Sequence, residues 1–306
     1  MMLFGGSKVW TVCCAIALSF GASAILLVAF GFVSVSEWLA VRELEANGAH
    51  VDWCHPHAVS VTIHPEHFRA EALRVLPRLP YLASLNLQHT SINDTDLRSL
   101  APLRNLEDLA LDFTPIDGTG FSQLAGLKRL RNVSLAHSGV SDDGVAAIAS
   151  CNAIERLTLT GTPVTDKGVV RLAHLSGIRF LCLSRTAIGD DSLKAIGDLP
   201  ALQVLWISET RVTDAGLVHL RNCRSLVQLS VGSTRVGDLG LSNLGPAANL
   251  QVVALSNTGV SDEGLHVLGN WGSLERVCLQ GTRVTNSGIA SLHSIRPVIE
   301  IEWRSQ

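Results

Sequence analysis

LQVLWISETRVTDAGLVHLRNC, residues 202–223, is the stretch that decides the fold. Leu205 and Ile207 alternate with Val204, Trp206 and Ser208, so they face one side of a short strand. Leu217 and Leu220 are three apart, which suits one face of a helical turn. Thr210 and the run Val212 to Gly216 join the two halves. A unit this short cannot bury its leucines alone, so it must stack on copies of itself.

The copies are present. The residues that open each unit are Leu82, Leu106, Leu130, Ile154, Ile178, Leu202, Leu226, Leu250, Leu274 and Val298, every step being 24 residues (106 − 82, and so on). One step back from Leu82 falls on Ala58, where Val61 and Ile63 keep the strand pattern. The general form is L-x-x-L-x-L-x-x-T-x-V-T-D-x-G-L-x-x-L-x-x-L-x-x. It resembles the leucine-rich-repeat superfamily, over Ala58 to Trp303. The resemblance implies an α/β solenoid, a curved horseshoe with a parallel sheet on its concave face and short helices on its convex face. It also implies that the concave face binds a protein partner. The uniform units look most like membrane-anchored bacterial repeat proteins. They are also similar to the F-box adaptors of ubiquitin ligases, although an uncharged run stands before the repeats here.

That run, Val9 to Val35, holds no charged residue and is long enough for a transmembrane helix. The expected organisation is a tail over 1–8, a signal anchor over 9–35, a juxtamembrane helix and cap over 36–57, and repeats over 58–306. Lys8 with the free amine, against Arg42, places the repeats on the outer side. The alternative is a secreted protein cut after Ala22-Ser23-Ala24, which would leave Ile25 to Phe30 exposed. Val35 to Asn47 reads as a helix, and Val51 to Trp53 with Val59 to Ile63 as cap strands.

Composition narrows the function. The net charge of −3 and the absence of like-charge runs exclude a nucleic-acid footprint. The seven cysteines form no CxxC, and the repeats separate most of them, so no disulfide framework is expected. The hydroxyls at Thr90, Thr114, Ser138, Thr162, Thr186, Thr210, Thr234, Thr258 and Thr282 read as a structural ladder rather than nucleophiles. The Asp column (Asp94, Asp142, Asp166, Asp190, Asp214, Asp238, Asp262) reads as helix caps. Calcium would need clustered oxygens, and each repeat offers one Asp. His50, His55, His57, His64 and His67 crowd the cap beside Asp52, Cys54 and Glu66, but without a fixed ligand spacing; plain turns at Pro56 and Pro65 are the preferred reading. No nucleophile elbow, phosphate loop or zinc-protease motif occurs, so neither enzyme activity nor a cofactor is expected.

On the concave face most side chains are small. The centre differs: Phe180, Val204 and Trp206 fall on adjacent strands, about 4.8 Å apart, with Val252 and Cys182 extending the apolar zone and Arg156, Arg185 and Glu209 beside it. Aromatics beside arginine are typical interface anchors. The bland alternative is that Phe180 and Trp206 only cover the sheet and each other. Asp108, Asp112 and Asn132 form a second, solvated polar patch.

Overall fold

The computed structural model describes residues 34–54, 57–245 and 249–304. Twelve strands pair in sequence order. β1 (His50–Cys54) and β2 (His57–Thr62) form an antiparallel cap hairpin. The repeats then add β3 (Ser84–Asn86), β4 (Asp108–Ala110), β5 (Asn132–Ser134), β6 (Arg156–Thr158) and β7 (Phe180–Cys182). β8 (Val204–Trp206), β9 (Gln228–Ser230), β10 (Val252–Ala254), β11 (Arg276–Cys278) and β12 (Glu300–Glu302) complete them. From β2 onward each strand pairs in parallel with the next, in a register that is always one unit, as in Phe180 with Val204 and Cys182 with Trp206.

The α1 helix (Val35–Ala46) lies on the first repeat, and its entry is capped by Ser34, whose hydroxyl accepts from the Glu37 amide at 3.0 Å. Its inner residues Ala40, Val41 and Leu44 close the leucine column. Glu37 is buried but satisfied, accepting from the Ala58 amide at 3.0 Å and meeting His57 Nδ1 at 3.2 Å. The convex side carries α2 (Asp142–Ile148), α3 (Asp166–Val169), α4 (Asp190–Gly197), α5 (Asp238–Leu244), α6 (Asp262–Gly269) and α7 (Asn286–Ile295). Tighter turns replace them at Asp96–Leu100, Thr119–Leu124 and Gly216–Asn222.

Two sequence expectations change here. The ladder hydroxyls bond within their own repeat: Thr90 donates to the Leu87 carbonyl at 2.7 Å and Thr162 to that of Leu159 at 2.7 Å. They tie off a buried strand end and do not bridge units. Nor do the aspartates cap their own helices. Where a side chain does cap, it is that of the preceding residue: Ser141 accepts from the Gly144 amide at 3.2 Å and Thr285 from the Gly288 amide at 3.3 Å, whereas Gly189 and Gly237 before α4 and α5 offer no side chain. Each aspartate instead reaches forward into the next repeat. Asp142 accepts from the Thr165 amide at 2.8 Å and its hydroxyl at 2.7 Å; Asp190 holds Thr213, and Asp262 holds Thr285, in the same way. The glycine that most repeats carry two positions beyond this site has its own explanation. A Cβ at Gly168, Gly216, Gly240, Gly264 or Gly288 would collide with the preceding repeat's Asp Oδ1.

Among the described residues no helix is long and apolar enough to cross a membrane. The expected anchor over 9–35 lies outside them, except for its last two residues, where the cap helix already begins.

Candidate protein-binding surface

The third and fifth residues of each repeat line the concave face, and register sets them side by side. Phe180 is 8% exposed and Trp206 is 42% exposed. Their rings meet edge to face with centroids 4.9 Å apart. Such a contact contributes about 0.5–1.5 kcal/mol beyond burial. On the other side of Phe180, the Arg156 guanidinium lies 4.3 Å from the ring centroid. Three strands therefore build one stack, Arg156 on β6, Phe180 on β7 and Trp206 on β8. Val204, the register partner of Phe180, and Val252 are half-buried. Cys182 is buried below Trp206 and contacts Thr160 Oγ1 at 3.0 Å.

The two aromatics differ in exposure. Phe180 is a covered platform, whereas Trp206 keeps its exposure. Arg185 stands apart from the stack: it forms an exposed ion pair with Glu209 at 2.9 Å, on the rim. Between the stack and β3 runs a groove of about 430 Å³, floored by Asn86, Ala110, Ser134 and Thr158. Its far side holds the polar patch, which is internally bonded. Asp108 accepts from Asn132, and Asp112 accepts from Gln88, from the Ser134 hydroxyl at 2.5 Å and from the Ala136 amide at 2.6 Å.

One feature of the rim escaped the sequence reading. The eighth residue of each repeat is left-handed, with φ of 60° at His89, 57° at Phe113, 55° at His137 and 59° at Arg185. This turns the chain out of the strand, and the His89 amide still bonds the Asp112 carbonyl at 2.8 Å. The turn stacks His89, Phe113 and His137 nearly parallel, with centroids 4.5 and 4.7 Å apart. The 24-residue column could have disclosed which side chains are neighbours. Only the glycines and asparagine in it, Gly161, Gly281 and Asn257, hinted at the backbone.

In the cap, His57 faces Glu37 and stacks on Tyr81 at 3.7 Å, while His50 pairs with Asp52 at 3.1 Å. His55 lies outside the described residues. Among the described residues no three His, Cys, Asp or Glu side chains gather as a metal site. The five described cysteines are all free thiols.

The sequence matches no family model and no curated protein. Solved structures do resemble it. An internalin, inlF, from Listeria monocytogenes strain 4b F2365 aligns over 76% of this chain and 77% of its own, with a TM-score of 0.55 and 21% identity. Internalin C2 from the same strain aligns over 74% of this chain and 94% of its own, with the same TM-score of 0.55 and identity of 21%. What the chain shares with these internalins is the fold, a leucine-rich-repeat solenoid.

Proposed function

We propose that this chain is a membrane-anchored recognition scaffold, binding a protein partner through the concave face around Phe180, Trp206, Val204, Arg156, Arg185 and Val252. The observation that carries the reading is Trp206. A large indole, 42% exposed, stands on a face built mostly of small side chains and is braced by Phe180. Rigid, half-exposed aromatics at the centre of a concave surface are the usual anchors of interfaces. The uncharged run over residues 9–35 supports the anchor, with the repeats on the outer side. The chain is read as a binding protein, not an enzyme. Its concave carboxylates, Asp108 and Asp112, are engaged by neighbouring donors rather than poised beside a nucleophile.

Crosslinking in native membranes, followed by alkaline washing and purification, tests both parts. The chain should stay with the washed membrane and carry a discrete partner. Trp206→Ala should weaken that association by about 2 kcal/mol, roughly thirtyfold, with an unchanged circular dichroism spectrum. Release of the chain by the wash would remove the anchor. Undiminished capture by the Trp206→Ala variant would remove the concave site.

A further inference from the structure

Two arginines on or beside the concave face meet a carboxylate one repeat on, and a third does not. Arg276 is bonded to Glu300 on the next strand at 2.7 Å, and Arg185 on the rim is bonded to Glu209 one repeat on at 2.9 Å. Each arginine thus meets a carboxylate 24 residues later. Arg156 occupies the same kind of place, but the residue 24 positions later is Phe180. Among the described residues no carboxylate lies within salt-bridge reach of Arg156. The side chain is exposed and lies over the Phe180 ring. A contact with a ring face engages the charge of a guanidinium but does not use up its five N–H donors. Those are the donors that grip a carboxylate with two parallel bonds.

Resting on the concave-face reading above, we propose that Arg156 receives an acidic side chain of the protein partner, an Asp or Glu on a loop. An apolar neighbour in that loop then covers Trp206. Phe180 positions both halves: it carries Arg156 on one side and props Trp206 on the other. The stack spans three strands, so the two contacts lie about 10 Å apart at a strand spacing of about 4.8 Å. That separation suits side chains a few residues apart in one loop. The opposite assignment, a basic partner residue on Asp108 or Asp112, is weaker. Asp108 already accepts from Asn132, and Asp112 accepts three bonds. Asp108 also sits two strands from Arg156, about a Debye length away, so it does little to repel an incoming carboxylate.

The test is to select binders for the purified full chain from a phage library of random disulfide-closed peptides. Such a library presents side-chain carboxylates and no free C-terminus. The expected pool carries Asp or Glu near an aromatic or large aliphatic residue. Its affinity should fall at least about tenfold on Arg156→Ala, the usual scale for a charge-assisted pair. Arg156→Lys should recover only part of it, because an ammonium lacks the planar fork. A pool without acidic residues, or one that binds Arg156→Ala as tightly as the native chain, overturns the assignment. If that pool still loses binding on Trp206→Ala, the concave site stands without it. If neither substitution matters, or no binder is enriched, both ideas fall.

Discussion

At Gly216 the solenoid has room for a hydrogen and nothing more, because Asp190 of the preceding repeat holds an oxygen where a Cβ would go. Gly216→Ala should therefore destabilise by about 1–3 kcal/mol, the usual scale for overpacking, read as a lower urea midpoint at an unchanged slope. Gly216→Ser should lose less. Ser192 occupies the equivalent place one repeat earlier and donates its hydroxyl to Asp166 there, with its amide on the same oxygen at 3.1 Å. The sequence disclosed this Asp and Gly spacing but not its partner, since the contact joins residues 26 apart and the pattern repeats every 24. A second residue-scale effect is alkaline. Burial pushes the Cys151 and Cys223 thiols up to about 11. A raised folded pKa favours the protonated form, so this stability is full below the unfolded value near 9 and is lost as pH rises toward 11. For the fully buried Cys151 the two-unit shift is worth up to about 3 kcal/mol. Melting temperature should fall steeply between pH 9 and 11, and less so in Cys151→Ala; equal slopes in the two proteins would refute the assignment.

Among the elements, the repeat that opens at Leu106 departs furthest from the pattern. It carries Gly118 where most other units carry aspartate, and its convex segment is the tight turn Thr119–Leu124. The link to the next unit is made by backbone instead, with the Ser141 amide on the Asp117 carbonyl at 3.1 Å. Restoring the repeat's usual aspartate would look like an improvement on sequence grounds. Gly118 has φ of 92°, and a Cβ there would sit 2.9 Å from Gly144 Cα. Gly118→Asp should accordingly destabilise by about 1–2 kcal/mol, the cost of a left-handed L-residue, seen as faster amide exchange in α2. A more stable variant would show that the aspartate link outweighs the backbone strain. Elements with a strong pattern were legible: the cap helix expected to Asn47 spans Val35–Ala46, and the cap strands fall within two residues of their expected bounds. The turns over 65–78 were not, because Pro65 and Pro77 break any regular apolar spacing.

Over the whole molecule, a constant step of 24 residues yields a constant register, and that register decides which side chains meet on the concave face. This is why the contact of Phe180 with Trp206 was legible, although their opposite exposures were not. Strand alternation tells which face a side chain takes, but burial on that face depends on whether neighbours fold over it, as Arg156 and Trp206 do over Phe180. The same register left Arg185 out of the stack by giving it Glu209. If the proposed function holds, the concave centre is where a protein partner sits. A photo-crosslinking amino acid at position 206, compared with one at the exposed convex residue Val218, tests it in intact cells. A discrete crosslinked partner is expected from position 206, absent from position 218 and diminished by Arg156→Ala. The same band from both positions, or a band from 218 alone, would contradict it.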